Sequence, residues 1–161
     1  MKILFVCTGN TCRSAMADLY FRHLLQTSGK LPEVVSLSAG TATGEGLPAN
    51  EMVFLTLQEY GIDAAAHSST PVSESLIEEA DIIFTMTESH ARSLRLISLA
   101  AEEKTFPFLS LLEDMEMEDL PDPYGGSLTV YKECFSYIKK AIDELFLSLL
   151  TEKNAKETTI Q

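Results

Sequence analysis

The chain opens with a short apolar run, Ile3 to Val6, that passes directly into a polar segment, Cys7 to Ser14. Four consecutive apolar residues bounded by polar ones are typical of a buried strand in a parallel sheet. After the segment, a helix is expected to begin near Arg13, because apolar side chains then recur at helical spacing as far as Gly29. Parallel strands need a crossover between them, so this opening predicts the first strand, loop and helix of an α/β fold.

The same alternation continues along the chain. We expect further strands at 34–38, 82–84 and 105–109, and further helices at 49–60, 73–79, from Thr87, and from about 128 to 150. Such an order implies right-handed crossovers and a parallel sheet with helices on both faces. The predicted fold is therefore a single-domain, doubly wound α/β fold with four parallel strands, and we expect the flavodoxin-like order 2-1-3-4. Residues 1–150 are expected to form the domain and residues 151–161 a polar tail.

The net charge and the cysteine content make some classes of function less favoured for this chain. A formal net charge of −12 opposes non-specific binding to nucleic acid or to an anionic membrane, so neither is an expected partner. Three cysteines, without a signal-peptide pattern or a membrane-length apolar stretch of about 18 residues, favour a cytoplasmic protein with a reactive thiol. The excess of acidic residues lies mainly between 102 and 122. This segment is either a solvated loop or a surface that attracts basic partners. It consists of Glu102, Glu103, Glu113, Asp114, Glu116, Glu118, Asp119 and Asp122 against Lys104.

The loop after the first strand has the composition of an anion site. In open parallel sheets, ligands bind beyond the carboxyl ends of the strands. A tight turn containing Gly9 can direct successive N–H groups inward, and the next helix adds its unpaired amides. Arg13 can close the site with a planar bidentate fork. The segment therefore predicts phosphate binding, and it requires no cofactor or metal.

The same surroundings favour the ionised thiolate of Cys7, because oriented amides, a helix N-terminus and an arginine all stabilise it. An ionised Cys7 could attack phosphorus and form a phosphocysteine, with Ser14 as a hydrogen-bond partner of the sulfur. The alternatives are a buried packing cysteine and an exposed arginine in the first turn of the helix. The loop lacks the Gly-Lys-Ser/Thr of nucleotide-binding P-loops, which disfavours an NTPase.

A leaving group also needs an acid, and the rigid turn from Pro121 to Tyr124 carries Asp122. A carboxyl group held over the loop could serve as general acid and then as general base. The alternative is an aspartate that only stabilises a turn before a helix.

These motifs together resemble the low-molecular-weight protein tyrosine phosphatase family, over about residues 2 to 150. The resemblance is carried by five segments in the family's order: Phe5 to Ala17; Ser38-Ala39-Gly40; Gly61-Ile62-Asp63 with His67; Ala80-Asp81-Ile82-Ile83 with Met86 and His90; and Asp122 to Gly126.

The resemblance implies a role for each matched residue. It makes Cys7 the nucleophile, Arg13 the transition-state binder and Asp122 the general acid. Around the phosphate it places Thr8, Gly9, Asn10, Thr11, Cys12, Ser14 and Tyr124. It assigns Asn10, Ser14, Ser38 and His67 to a hydrogen-bond network that supports the loop. Cys12 is similar to a family cysteine that pairs with the nucleophile under oxidation, although core packing would also explain it. Cys134 is expected only to pack.

Two departures concern the substrate, which is expected to be a phosphorylated protein or peptide. Thr11 stands where tyrosine-specific members usually carry a larger aliphatic residue, and it resembles the bacterial protein-arginine phosphatases. Aromatic walls common in tyrosine phosphatases correspond here to Gly44 and Gly125. Because a guanidinium favours carboxylates and polar contacts while a phenyl ring favours apolar walls, phosphoarginine is expected slightly ahead of phosphotyrosine.

A different function on the same fold is arsenate reduction, which uses additional cysteines to relay a disulfide. No cysteine lies between Arg13 and Lys132, so this alternative is disfavoured. The sequence predicts nothing about oligomeric state.

Overall fold

The computed structural model describes residues 1–113 and 115–159, so that Asp114 of the acidic segment lies outside the described residues. The strands of this part of the chain are β1 (Lys2–Cys7), β2 (Val35–Gly40), β3 (Ile82–Thr85) and β4 (Thr105–Pro107). The α-helices are α1 (Arg13–Ser28), α2 (Glu51–Gln58), α3 (Glu74–Glu79), α4 (Glu88–Ile97) and α5 (Leu128–Thr159). Two short 3₁₀ helices occupy Leu99–Ala101 and Phe108–Leu111.

The four strands form one parallel sheet in the order β2-β1-β3-β4, which confirms the predicted fold class and strand order. Strand β1 lies in the middle and is buried on both sides, as its unbroken apolar run predicts. Its side chains alternate between two cores: Ile3 and Phe5 belong to one, Leu4 and Val6 to the other. The carboxyl end of β1, at Cys7, pairs with Gly40 at the end of β2.

Helices cover both faces of the sheet. The larger core joins Phe5 to Met16 and Phe21 of α1 and to Tyr131 and Phe135 of α5. The smaller core joins Leu4 and Val6 to the α3 and α4 side of the fold through Ile77 and Leu94. The sheet is therefore a buried layer, and the loops at its carboxyl edge are held from both sides.

Several helix ends follow the sequence signals. Helix α1 ends at Gly29, whose φ of 61° is the left-handed conformation of a helix C-cap. Ser73 caps α3 by accepting from the N–H of Leu76. Thr87 and His90 form a reciprocal capping box at the start of α4.

Several boundaries differ from the predictions, and among them β2 runs from Val35 to Gly40 instead of 34–38, and α2 ends at Gln58 instead of Tyr60. Helix α2 begins at Glu51, later than predicted, because the Asn50 side chain accepts from Met52 and makes Asn50 the cap. Strand β4 ends at Pro107 instead of Leu109, since the chain turns there into the 3₁₀ helix Phe108–Leu111.

A further difference concerns α5, which continues to Thr159 instead of ending at Leu150. Much of the predicted polar tail is thus helical, while residues 160 and 161 lie outside the described residues. The extension contains no glycine or proline to stop a helix. Lys153 also ties it to the domain by donating to the Lys30 carbonyl at 2.7 Å. Over the described residues, no helix is long and apolar enough to cross a membrane.

Candidate active site

A cavity of about 210 Å³ opens at the carboxyl end of β1. It brings together the loop after β1, the first residue of α1 and the turn before α5, three parts of the chain that are distant in sequence. Its lining is Cys7, Thr8, Gly9, Thr11, Cys12, Arg13, Asp122 and Tyr124. All three predicted catalytic residues and most of the predicted phosphate-binding residues thus face one cavity. The exceptions, Asn10 and Ser14, are fully buried beneath the loop.

Hydrogen-bond donors surround the sulfur of Cys7. The backbone N–H of Asn10 donates to Sγ at 3.2 Å, and Ser14 Oγ lies 2.9 Å from Sγ. The amide of Asn10 donates from Nδ2 to Ser14 Oγ at 2.9 Å, so the serine's own hydrogen remains available to the sulfur or to the Ala39 carbonyl oxygen. These contacts are suited to a negatively charged sulfur.

The left-handed backbone conformation in the loop falls on Asn10 and not on Gly9. Asn10 has φ of 52°, a left-handed conformation that asparagine tolerates better than most residues. Among the residues that the structure describes, the backbone N–H groups of Thr8, Gly9, Thr11 and Cys12 have no protein acceptor. A loop with several unpaired amides beside a helix N-terminus is a ready anion site.

Two contacts from the segment before α3 hold this conformation. Asn10 Oδ1 accepts from the N–H of Thr70 at 2.9 Å, and the Asn10 carbonyl oxygen lies 2.6 Å from Nε2 of His67. Because a carbonyl can only accept, the His67 nitrogen is the donor in this contact. His67 therefore supports the loop from outside the cavity.

The structure places Ser38 elsewhere than the resemblance implied. Its hydroxyl donates to Asp18 Oδ2 at 2.9 Å instead of joining Asn10, Ser14 and His67. Asp18 is a buried carboxylate that also accepts from Ser36 and, through both oxygens, from Arg22. Residues that alternate along β2 share a face, which is why Ser36 and Ser38 both reach this carboxylate on α1.

Arg13 joins the loop to the turn that carries Asp122. Its side chain is nearly buried, with Nη1 donating to the Leu120 carbonyl oxygen at 3.0 Å and Nη2 donating to Asp122 Oδ2 at 2.9 Å. The other oxygen, Asp122 Oδ1, accepts from the N–H of Tyr124 at 3.1 Å. A guanidinium has five N–H donors, so Arg13 retains donors for an anion in the cavity.

Tyr124 stands at the mouth of the cavity with 75% of its surface exposed. It supplies the aromatic side chain of the cavity lining. Gly125 follows with φ of 78°, and Gly44 lies outside the lining.

The other two cysteines, Cys12 and Cys134, lie where burial opposes ionisation of their thiols. Cys12 Sγ lies 3.2 Å from the hydroxyl of Tyr131, and burial raises the pKa of the Cys12 thiol above its ordinary value. Cys134 donates to the Pro121 carbonyl oxygen at 3.7 Å, and burial raises the pKa of its thiol to about 12. All three thiols are free. A thiol that resists ionisation is a poor relay in disulfide exchange, so Cys134 does not favour arsenate reduction.

Two buried polar residues, Asp18 and His90, were assigned no function in the sequence prediction. No sequence motif indicated Asp18, because its partners on β2 contact it only through tertiary packing. His90 was recognised as part of a motif, but its contact with the loop was not foreseen: Nε2 lies 2.8 Å from Thr8 Oγ1. Desolvation of the buried ring, assisted by the nearby charge of Arg13, lowers the pKa of His90 to about 4. Within the described residues, no group of three or more His, Cys, Asp or Glu side chains is arranged to hold a metal ion.

Comparison with known proteins gives a consistent match. A family model described as low molecular weight phosphotyrosine protein phosphatase matches residues 2–156. The chain is 36% identical over 152 residues to a protein-arginine-phosphatase of Geobacillus stearothermophilus, covering 94% of this chain and 98% of the relative. It is 32% identical over 141 residues to a probable low molecular weight protein-tyrosine-phosphatase of Ralstonia nicotianae, covering 88% and 90%.

One solved structure is also similar along nearly its whole length. It is described as the YwlE arginine phosphatase, in a mutant form with a phosphorylated active-site serine. The match has a TM-score of 0.85 and 31% identity, and covers 92% of this chain and 95% of that one.

Proposed function

The chain belongs to the low molecular weight phosphotyrosine protein phosphatase family, and from this premise we propose that it removes phosphate from arginine side chains of proteins through a phosphocysteine on Cys7. The observation that carries the proposal is the single cavity that holds Cys7, Arg13 and Asp122 together. The cytoplasm remains the expected location, and a phosphorylated protein or peptide the expected substrate.

In the first step, the sulfur of Cys7 attacks phosphorus. An S–P bond forms as the P–N bond to the guanidino group breaks, and the electron pair of that bond leaves with the nitrogen. Asn10 and Ser14 hold the sulfur in place by the hydrogen bonds described above. The phosphoryl oxygens accept hydrogen bonds from the unpaired backbone amides of the loop. These donors are already oriented, so they stabilise the negative charge that develops on the oxygens.

Arg13 contributes the fixed positive charge of the site. Its contact with the Leu120 carbonyl oxygen holds the guanidinium in a defined plane. A planar fork in a fixed orientation can bind two equatorial phosphoryl oxygens at once, which a lysine ammonium cannot do.

Asp122 donates the proton that the leaving nitrogen needs. In the structure its Oδ2 accepts from Arg13, so a phosphoryl group that competes for the Nη2 donor frees this oxygen for the leaving group. Oδ1 keeps its contact with the N–H of Tyr124, which maintains the orientation of the carboxyl group. The acid thereby becomes available when the substrate is bound.

In the second step, water attacks the phosphocysteine, and Asp122, now a carboxylate, accepts the proton of that water. The S–P bond breaks, and the sulfur leaves with the electron pair. A hydrogen bond from Ser14 Oγ stabilises the departing thiolate at 2.9 Å. Inorganic phosphate is the product, and Cys7 is regenerated. The similar structure with a phosphorylated active-site serine supports a covalent phosphoryl-enzyme intermediate.

The lining of the cavity favours arginine as the phosphorylated residue. Thr11 presents a small polar side chain, and Asp122 offers carboxyl oxygens that can accept hydrogen bonds from the N–H groups of a guanidino group. The resemblance to a protein-arginine-phosphatase supports the same choice. Phosphotyrosine is the second candidate, because the exposed ring of Tyr124 can stack on a phenyl group and a tyrosine phosphatase is also among the relatives.

The test compares release of phosphate from matched phosphoarginine and phosphotyrosine peptides by the wild type, Cys7→Ser and Thr11→Ile. We expect the wild type to prefer phosphoarginine, Cys7→Ser to lose both activities, and Thr11→Ile to lose phosphoarginine activity selectively. Turnover by Cys7→Ser would overturn the mechanism. A wild type indifferent to phosphoarginine would overturn the substrate assignment.

A further inference from the structure

Thr8, the residue next to the proposed nucleophile, is linked to the α4 side of the fold. Its Oγ1 lies 2.8 Å from Nε2 of His90, a ring that is only 5% exposed. The two residues are 82 positions apart in sequence, and Thr8 lines the cavity. A buried histidine thus contacts a hydroxyl of the phosphate-binding loop.

The other ring nitrogen determines the direction of this hydrogen bond. The backbone N–H of Thr87 donates to Nδ1 of His90 at 3.1 Å. A backbone N–H can only donate, so Nδ1 accepts and carries no proton in this contact. A neutral imidazole then has its proton on Nε2, which donates to Thr8 Oγ1.

The ring is held in this tautomer by the helix start itself. Thr87 and His90 form the capping box of α4, so the bond to Nδ1 is part of the local structure. The pKa of His90, lowered to about 4, keeps the imidazole neutral at physiological pH. The groups that influence its charge are Arg13 on α1 and Asp119 and Asp122 in the segment before α5.

The hydrogen of the Thr8 hydroxyl is consequently directed away from His90. Oγ1 uses acceptor capacity for the His90 proton, and among the described residues it has no other protein partner. A hydroxyl has one hydrogen to donate, and Thr8 lines the cavity. An oxygen of a bound phosphoryl group is the acceptor that this cavity would supply.

We propose that His90 is a positioning residue that holds Thr8 Oγ1 as an acceptor and so directs the Thr8 hydroxyl hydrogen onto the phosphoryl group. The proposal rests on the proposed function, because it assumes that the cavity binds phosphate. It assigns His90 an effect on oxyanion binding that is transmitted through Thr8.

The test is a double-mutant cycle on the affinity for inorganic phosphate, measured by calorimetry or by ³¹P NMR. Thr8→Val removes the hydroxyl at constant shape, and His90→Asn keeps an acceptor near Thr87 but has no donor that reaches Thr8. A hydrogen bond to a charged group is typically worth about a tenfold change in affinity or more. We expect each single variant to bind phosphate about tenfold more weakly, and the double variant to be no weaker than either.

Two further variants test whether phosphate affinity changes through the position of the Thr8 hydroxyl or only through the stability of the fold. Thr8→Ser should restore phosphate affinity because it restores the hydroxyl, and His23→Asn, in the second half of α1, should bind phosphate like the wild type. Melting temperatures are recorded for all variants. An affinity loss that adds up to about a hundredfold in the double variant would overturn the proposal, as would unchanged affinity in Thr8→Val.

The same measurements distinguish this proposal from the proposed function. Wild-type hydrolysis combined with an additive cycle would overturn only the role of His90. A non-additive cycle in a wild type that hydrolyses neither phosphopeptide would support the role of His90 and overturn the proposed function.

Discussion

Arg13 and Asp122, 109 residues apart in sequence, are joined by a hydrogen bond of 2.9 Å between Nη2 and Oδ2. Arg13 is nearly buried at the start of α1, whereas the Asp122 side chain is half exposed in the turn before α5. The pair therefore links the nearly buried start of α1 to the more exposed turn. Each partner also has a second contact, to Leu120 or Tyr124, so that breaking the pair leaves both side chains oriented.

Arg13→Lys should lower kcat/KM for an aryl phosphate by about 10² or more, because an ammonium cannot replace a bidentate fork aimed at the phosphoryl oxygens. The contact with the Leu120 carbonyl oxygen should also weaken. Arg92→Lys is the matched control, since Arg92 lies on the exposed surface of α4 and forms a surface pair with Glu88. Equal kinetics for Arg13→Lys and the control would contradict the role of Arg13.

Asp122→Asn should reduce kcat by about 10²–10⁴, the usual contribution of a general acid. The loss should be smaller for p-nitrophenyl phosphate, whose leaving group needs little protonation, than for a phosphorylated peptide. The amide oxygen can still accept from Tyr124, so the turn should persist. Glu118→Gln, in the same acidic segment, serves as the control. Steady-state kinetics on both substrates provide the measurement, and an identical loss on the two would argue against proton donation.

Gly40→Ala should displace the loop without unfolding the protein. A methyl group at Gly40 would lie 2.6 Å from the Thr8 carbonyl oxygen and 3.1 Å from the Asn10 nitrogen, and both are backbone atoms. We expect phosphate affinity and kcat/KM to fall by about tenfold or more, since displaced amides lose their alignment with the anion. Gly44→Ala is the control, because a methyl group there meets nothing within 4 Å. Comparable activity in the two variants would show that the loop tolerates the displacement.

Acidification should destabilise the protein partly through His90. The folded-state pKa of His90 is lowered to about 4 from 6.5, so between these values the unfolded chain binds a proton that the folded protein does not. The free energy of unfolding therefore rises as the pH increases from about 4 to 6.5. Above this range His90 is neutral in both the folded and the unfolded protein and no longer lowers stability. At pH 5 the penalty is about 2 kcal/mol.

Urea unfolding of the wild type and His90→Asn at pH 5 and pH 7.5 measures this loss of stability. The wild type should lose about 2 kcal/mol more stability than the variant on acidification. The comparison with the variant removes the contribution of the carboxylates, which titrate in both proteins. Parallel pH dependences would mean that the His90 ring is protonated more readily than its burial implies.

Much of the fold was predictable because its signals are local. The apolar run before Cys7, the stop at Gly29 and the caps at Ser73 and Thr87 each depend on a few neighbouring residues. The parallel sheet then followed from the alternation of strands and helices. Two of the boundaries that differed are those where a cap or a contact with a distant segment affects the end of a helix, at Asn50 and Lys153.

In the candidate site, the chain order alone indicated Cys7 and Arg13, because a strand, a turn and a helix N-terminus already describe an anion site. The predicted role of Asp122 depended mainly on the family resemblance, and only the folded protein brings this residue into contact with Arg13. The same holds for the left-handed conformation of Asn10, the pairing of Ser38 with Asp18, and the contact of His90 with Thr8. These features depend on which side chains meet across the sheet, and hydrogen bonds between residues tens of positions apart leave no pattern in the local sequence.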